Sequence, residues 1–206
     1  MTDKVDFKTL DAYRAKRAEF RVLEVPDMRY LMIDGHGDPN TSPAFGDAIE
    51  TLYPVAYKLK FASRSTLGRD YVIPPLEGLW WGDDMSVFTV ARDKARWHWT
   101  LMLMVPPWIE PDLFTEAAEE AAAKNRPARL DDLRLEMLSE GRCVQTLHVG
   151  SFDQEAEVLA QMHDEFIPGQ GLQMVGKHHE IYLSDFRRVA PEKQRTILRQ
   201  PVITIW

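Results

Sequence analysis

The sequence predicts an α+β domain built from two similar modules, each with the order strand, helix, strand, strand. Short runs in which apolar and other residues alternate predict strands, because successive side chains on a strand point to opposite faces. Apolar residues at every third or fourth position predict helices. This order, with a glycine turn after the first strand, occurs over residues 28–104 and again over residues 143–202. Two such modules side by side would leave a ligand cleft at their seam, where pockets are common.

The first module starts with a strand at residues 28–33, which runs into a turn rich in glycine and aspartate. The Ser-Pro pair at 42–43 predicts a helix start, with the hydroxyl as N-cap and proline in the first turn. The apolar stripe of this helix extends over residues 45–59. Tyr53 and Tyr57 lie four residues apart on one flank of the stripe, so they are candidates for ligand contact or for the rim of the core.

The second module and the flanking segments complete the prediction. A strand at 144–149 ends at Gly150, and Asp153 caps a helix that runs to residue 167. The strand at 97–104 is apolar on both faces, which predicts a central place in the sheet. The other predicted elements are a peripheral helix at 7–20, strands at 21–25, 76–81, 87–90, 178–183 and 196–202, and a helix at 112–124.

Length and composition exclude several classes of protein. The 206 residues fit a single domain, 1–206, and 45 % of them are hydrophobic. A net charge of −7 without a basic stripe argues against direct nucleic-acid binding. The longest apolar run, 101–105, is too short to span a membrane, and the acidic N-terminus does not read as a signal peptide. The single cysteine, Cys143, cannot form an internal disulfide, so we expect a cytoplasmic protein.

The segment His178–Asp185 carries the clearest candidate for chemistry. Strand alternation places His178, Glu180 and Tyr182 on one face. His179 and Ile181 then point to the other face, which we expect to pack against helices. Glutamate is depleted from strands, so Glu180 is either a solvated edge residue or a functional carboxylate with Tyr182 beside it.

Tryptophan is enriched in one part of the chain. Five of the six tryptophans lie between residues 80 and 108, at positions 80, 81, 97, 99 and 108. They serve either as core residues or as the wall of a ligand cavity. Pairing Leu79 with Ile181 would put Trp80 beside Tyr182, whereas pairing Glu77 with Glu180 would turn Trp81 inward. We favour the first register, because it matches two aliphatic side chains.

Other chemistries have weaker support. The run His178–Glu180 is not a metal motif, because neighbouring side chains on a strand diverge, so we expect no metal and no cofactor. His36 lies in a glycine-rich turn, where it is either a turn residue or a further ligand contact. The pair Gly35 and Gly37 lacks the rest of a phosphate-binding pattern. Cys143 stands in a strand-like run and reads as a small buried hydrophobe.

Several pieces of the sequence resemble the GyrI-like small-molecule-binding family, named for a DNA gyrase inhibitor. The chain is also similar to the effector domains of multidrug-sensing transcription activators. The matching pieces are Tyr30–Asn40, Leu76–Trp81, Glu140–Gln145, Leu147–Gly150, His178–Asp185 and Arg195–Val202.

The resemblance implies a duplicated strand–helix–strand–strand module with a ligand cleft and a carboxylate near its base, which we place at Glu180. Some stand-alone members of the family hydrolyse cyclopropane-bearing alkylating compounds, and others only bind ligands. The segment before residue 21 is too short for a helix-turn-helix, so we do not expect the transcription-factor version.

Three functions follow as hypotheses. In the first, Glu180 is the general base of a hydrolase for hydrophobic cyclopropanoid genotoxins, and Tyr182 or His178 binds the substrate oxygen. In the second, ionised Glu180 and aromatic side chains bind planar or cationic xenobiotics without turnover. The expected wall residues are Trp80, Trp81, Trp99, Tyr53, Tyr57, His178 and His36. The third is a protein-binding module of the gyrase-inhibitor kind. The sequence predicts no oligomeric state.

Overall fold

The computed structural model describes residues 4–82 and 93–205. The predicted strand at 87–90 lies outside these residues. The described strands are β1 (Arg21–Val25), β2 (Met28–His36), β3 (Leu76–Trp81), β4 (His98–Val105), β5 (Arg134–Leu138), β6 (Gly141–Val149), β7 (Leu172–Met174), β8 (His178–Tyr182) and β9 (Arg195–Thr204). The described helices are α1 (Pro43–Thr66), α2 (Pro111–Asn125) and α3 (Glu155–Ala160), the last continuing through a π-helical turn at Gln161–Phe166 and a final turn at Ile167–Gly169.

This mixture of helices and antiparallel strands confirms the α+β prediction. The order strand, helix, strand, strand occurs as β2, α1, β3, β4 and again as β6, α3, β8, β9, with the short β7 inserted before β8. The predicted peripheral helix at 7–20 is wrong. That segment contains only two short 3-10 turns, Phe7–Thr9 and Asp11–Tyr13. Its apolar residues are too few to make a continuous helical stripe.

The chain divides into two compact units. Of the described residues, 4–8, 28–74, 82 and 93–138 form the first unit, and 9–27, 75–81 and 139–205 form the second. The units differ from the two predicted repeats because β3 belongs to the second unit, where it pairs with β8. That the whole chain is one domain stays a prediction. No helix in the described ranges is long and apolar enough to cross a membrane.

In the first unit, β2 pairs with β4 on one side and with β5 on the other, in both cases antiparallel. Helix α1 buries an apolar stripe that includes Ala48, Leu52 and Leu59. Gly35 of β2 lies opposite Trp99 of β4, and the Trp99 ring covers the space where a side chain at 35 would stand. The absence of a side chain at Gly35 therefore allows Trp99 to be fully buried.

In the second unit, the strands follow the order β1, β6, β9, β8, β3, and β7 pairs with β9. The segment from α3 to residue 169 packs on one face of these strands. Met162 and Ile167 contact Val144 and Leu198 there in a buried apolar cluster. Leu198 lies directly opposite Glu180 in the ladder between β8 and β9. The helical layer therefore covers the face to which Glu180 points.

The prediction that the face of His179 and Ile181 meets helices is wrong. The N-terminal segment covers that face instead: the hydroxyl of Tyr13 donates to Glu77, and Arg199 donates to the carbonyl of Ala12. Ile181 does not represent its whole face, because buried polar side chains such as Gln145 and Arg199 share it. On the same face Gln145 donates to the carbonyl of Arg14, so polar side chains tie this face to the covering segment.

Replacing Gly35 by alanine should destabilise the protein by about 1–3 kcal/mol, because the new methyl group would stand 2.0 Å from the Trp99 ring. Gly46 offers the matched control, since it lies in α1 with nothing within 4 Å of an added methyl group. Gly46→Ala should stabilise by about 0.5–1 kcal/mol. Urea denaturation of both variants measures the difference, and equal effects would contradict the packing seen here.

Candidate functional site

Glu180 lies at the centre of a group of polar and aromatic side chains on one face of β8. Its neighbours across the ladders are Gly78 of β3 and Leu198 of β9. The hydroxyl of Tyr182 donates a hydrogen bond of 2.8 Å to Oε2 of Glu180. The indole Nε1 of Trp80 donates in turn to the hydroxyl of Tyr182, at 3.1 Å. Only 13 % of the Glu180 side chain is exposed. These bonds hold the carboxylate in one orientation.

Gly78 provides the space for this arrangement. A Cβ atom there would stand 2.9 Å from Nε1 of Trp80 and 3.0 Å from the hydroxyl of Tyr182. Because the position opposite Glu180 has no side chain, the indole of Trp80 can lie back along the strand and reach Tyr182. The hydrogen bond between Trp80 and Tyr182 therefore requires a residue without a side chain at position 78.

Burial raises the pKa of Glu180 to about 7. The hydrogen bond from Tyr182, the positive charge of His179 and a hydrogen bond from Trp80 oppose this rise, because each stabilises the ionised form. At neutral pH the carboxyl group is therefore populated in both protonation states. A group with such a pKa can accept a proton from a ligand or from water and release it again.

A second carboxyl group, missed in the sequence, stands on the same face. Glu155 is 4 % exposed, and its Oε1 has no hydrogen-bond partner among the described residues. Burial, with the nearby charge of Glu180 as the second cause, raises the pKa of Glu155 well above its ordinary value, although a hydrogen bond with Thr196 opposes the rise. The protonated form of Glu155 is therefore favoured, and the negative charge of the pair lies on Glu180 when it ionises.

The sequence held a signal for Glu155. The residue lies four positions before Leu159 and seven before Met162, so it belongs to the apolar stripe of its helix. A carboxylate on such a stripe is expected to be buried. The prediction instead treated this end of the helix only as a place for a capping residue. Ser151 and Gln154 form a capping box there.

His178 lies beside Glu180 with 10 % of its side chain exposed, and it is uncharged. Burial lowers the pKa of His178 to about 3, with the neighbouring His163 and His179 as further causes. Its Nε2 lies 3.7 Å from Oε1 of Glu180, which is too long for a hydrogen bond. The ring of His163 stands against it with 5.9 Å between ring centres. Within the described residues neither nitrogen of His178 has a hydrogen-bond partner.

Three aromatic rings meet beside the carboxylate. Phe152 and Phe186 pack edge-on against Tyr182, with ring centres 5.8 Å and 5.5 Å away, and are 5.7 Å from each other. Both phenylalanines were missed in the sequence, because they lie in turns that carry no strand or helix periodicity. They give the surroundings of Glu180 an apolar, aromatic character.

The register between β3 and β8 corrects both pairings considered above. The ladder pairs Glu77 with Ile181 and Leu79 with His179. Trp80 still reaches Tyr182, but it does so over Gly78 and not by direct pairing. Trp81 follows Trp80 in β3, so alternation points it to the other face. Its ring lies 3.4 Å from the ammonium group of Lys177.

The remaining predicted wall residues belong to the first unit. Trp99 is fully buried and packs edge-on against Phe45, with 5.1 Å between ring centres. Tyr53 is half-buried, and Tyr57 is exposed and stacks on Phe61. His36 stands beside His98. A role of these four predicted residues in ligand binding stays a prediction.

Metal-binding and thiol chemistry find no support in the described residues. No cluster of three or more histidine, cysteine, aspartate or glutamate side chains there could hold a metal ion. Cys143 is buried, and burial raises the pKa of its thiol to about 12. It is therefore a protonated thiol at neutral pH.

The chain matches one protein-family model and resembles several solved structures over most of its length. The model of the GyrI-like small molecule binding domain matches residues 18–202. An uncharacterised conserved protein from Listeria innocua is 38 % identical, with a TM-score of 0.88 over 97 % of this chain and 100 % of its own. A hydrolase from the same organism is 36 % identical, with a TM-score of 0.87 over 98 % of this chain and 100 % of its own.

More distant structures share the fold. The C-terminal domain of EcmrR is 11 % identical, with a TM-score of 0.54 over 91 % of this chain and 98 % of its own. No protein of curated function matches the chain.

Replacing Glu155 by glutamine should reduce the loss of stability at rising pH. An acid whose pKa is raised on folding stabilises the folded state below its unfolded pKa, near 4.5, and loses that contribution as pH rises towards its folded pKa. Glu155 and Glu180 each contribute up to about 1.4 kcal/mol per pH unit to this fall. Glu155→Gln should show a shallower fall in the free energy of unfolding between pH 5 and pH 7, as measured by urea denaturation.

Glu157, an exposed residue of the same helix, provides the control for this prediction. Glu157→Gln should keep the pH dependence of the parent protein. If Glu155→Gln and the parent lose stability equally between pH 5 and pH 7, Glu155 is not held protonated.

Proposed function

The chain belongs to the GyrI-like small-molecule-binding domain family, and on that premise we propose that it detoxifies hydrophobic, strained xenobiotics by hydrolysis, with Glu180 as the general base. The observation that carries the proposal is the buried Glu180 carboxylate, whose pKa of about 7 matches the pH at which a cytoplasmic base works. A base positioned in this way contributes about 10²–10⁴-fold to a rate.

The substrate class that fits is a cyclopropane conjugated to a carbonyl group. Ionised Glu180 takes a proton from a water molecule as the water oxygen bonds to a ring carbon. The carbon–carbon bond of the ring breaks, its electron pair moves to the carbonyl oxygen, and that oxygen takes up a proton. The product is a single water adduct, with an alcohol at the attacked carbon and an enol or phenol in place of the conjugated carbonyl. A strained ring supplies much of the driving force, so a single carboxylate is sufficient machinery.

Tyr182 acts in this proposal by positioning the base. Its hydroxyl hydrogen is engaged with Glu180, and its oxygen accepts from Trp80. Donating to the substrate oxygen, as considered from the sequence, would require breaking the bond to Glu180. His178 is the other candidate donor, because it is neutral and retains one N–H.

Two further observations support a flat, apolar substrate and its hydrolysis. The rings of Trp80, Phe152 and Phe186 flank the Glu180–Tyr182 pair, and aromatic faces favour planar ligands. Two proteins from Listeria innocua that are 35 % and 36 % identical to this chain are described as hydrolases.

Binding of aromatic cations without turnover is the second candidate. The rings of Trp80, Phe152 and Phe186 lie beside the Glu180–Tyr182 pair, and aromatic faces attract cations. Ionised Glu180 would supply the opposite charge. This candidate needs no attacking water and no proton transfer.

Glu180→Gln should lower turnover of a cyclopropane-bearing alkylating compound by about 10²-fold or more, because the amide cannot accept a proton. Binding, followed by quenching of tryptophan fluorescence, should change little. In the parent protein kcat/KM should rise with pH through about 7, as Glu180 ionises, and this rise should be missing in the variant. Glu157→Gln serves as the control and should behave as the parent does. Hydrolysis by Glu180→Gln at the parental rate would overturn the proposal.

If binding without turnover is the function, the parent protein should leave the same compound intact. Its affinity for a cationic dye should then increase as pH rises through about 7, whereas a neutral dye of the same shape should bind independently of pH. Glu180→Gln should abolish the pH dependence for the cation. Equal affinities for both dyes at all pH values would count against this candidate.

A further inference from the structure

A second polar group, unrelated to the aromatic face, is buried on the opposite side of β8. At its centre is His179, which is fully buried. Its Nε2 lies 2.9 Å from Oε2 of Glu77, and its Nδ1 lies 2.9 Å from Oε1 of Glu140. Two ionised carboxylates, one at each nitrogen, can both accept a hydrogen bond only if both nitrogens carry a hydrogen. The geometry therefore describes an imidazolium held between two acids.

The surrounding groups balance this positive charge. The second oxygen of Glu140 accepts a hydrogen bond of 2.9 Å from Arg199, and the hydroxyl of Tyr13 donates to Glu77 at 2.5 Å. Arg199 also donates to Gln145 at 3.1 Å and to the carbonyl of Ala12. Two cations thus face two carboxylates, so the network keeps His179 charged without leaving net charge in the interior.

The titration behaviour agrees with this geometry. Burial opposes ionisation of Glu140, but the charges and hydrogen bonds of His179 and Arg199 lower its pKa to about 2. Burial also opposes the charged form of His179, whereas Glu140 and Glu77 raise its pKa. Both shifts therefore favour the charged forms, positive for His179 and negative for Glu140.

His179 is the residue next to Glu180 in β8, with consecutive Cα atoms about 3.8 Å apart. The titratable groups on the Glu180 side of the strand are Tyr182 and His178 from β8, Glu155 from α3 and His163 from the π-helical turn. The raised pKa values of Tyr182 and Glu155 and the lowered pKa values of the two histidines all favour the neutral form of the group. Among the described groups next to Glu180, the positive charge therefore comes from His179 on the opposite face of β8.

We infer that His179 is a positioning residue for the site, which as a buried imidazolium on one face of β8 stabilises the ionised form of Glu180 on the other face and keeps His178 uncharged. The use made of that charge, in catalysis or in cation binding, rests on the proposed function. The electrostatic role itself does not depend on which of the two is correct.

The test replaces His179 by glutamine, which keeps hydrogen-bonding capacity and removes the charge. The pKa of Glu180 should rise from about 7 by about one unit, because a unit charge at this separation is lost from a medium of intermediate dielectric constant. Carbon NMR of the side-chain carboxyl groups in glutamate-labelled protein measures it without any ligand, and Glu180→Gln assigns the signal. The midpoint of the pH dependence of turnover or of cation binding should move in the same direction.

Tyr13→Phe is the matched control. It removes the hydrogen bond to Glu77 and leaves every charge of the network in place. It should lower the free energy of unfolding while the pKa of Glu180 stays within a few tenths of the parental value. An equal shift in Tyr13→Phe and His179→Gln would mean that loosening of the strand, and not the charge of His179, moves Glu180.

A measurement on the parent protein keeps the inference testable if His179→Gln does not fold. Nitrogen NMR of the imidazole rings should show both nitrogens of His179 protonated at pH 7 and above. A neutral His179 at pH 7 would overturn the inference, as would an unchanged Glu180 in the variant. Absence of turnover in the parent would instead count only against hydrolysis, because both NMR measurements are made without substrate.

Discussion

Burial of one carboxylate is the constraint on which the candidate site depends. Glu180 is removed from water on a strand that packs against a helical layer, and its charged form survives there only through hydrogen bonds and nearby charge. Tyr182 and Trp80 supply the bonds. Gly78 makes them possible by leaving the space over which the indole lies. A side chain at that position would separate the indole from the phenol.

The two faces of β8 differ in how completely their buried polar groups are hydrogen-bonded. On the face of His179 both ring nitrogens are bonded to carboxylates, and the positive charges equal the negative ones. On the face of Glu180 several buried atoms of His178 and Glu155 lack partners in the described structure. A fully bonded network rigidifies a fold, whereas groups without partners are available to a ligand or to a proton. One face of β8 therefore carries a fully hydrogen-bonded charge network, and the other carries polar groups that can bind a ligand or exchange a proton.

Hydrolysis and cation binding make different demands on this surface. A base must lose and regain a proton near neutral pH, and an apolar, aromatic surrounding gives Glu180 the required pKa. A cation trap needs only the ionised form, together with an aromatic face. The raised pKa of Glu155 favours its neutral form and so limits the negative charge of the site. That limit suits a single proton or a single positive charge, so it is compatible with either function.

The sequence by itself determined most of the strands and helices and which side chains of β8 share a face, because both depend on local geometry. Alternation along β8 placed Glu180, Tyr182 and His178 together, and the repeated order of strands and helices predicted the α+β class. Resemblance to family motifs identified the family that the domain model then matched. These properties need no knowledge of which distant segments meet.

Only the tertiary structure decided the pairing of β3 with β8, the place of Glu155 and the partners of His179. The register set Gly78 opposite Glu180, and no local pattern encodes a match between strands about a hundred residues apart. Glu155 and the network of Glu77, His179 and Glu140 depend in the same way on contacts between remote segments. Those contacts set the pKa, and so the charge, of a buried group. The sequence therefore locates the residues of the site but does not give their protonation states.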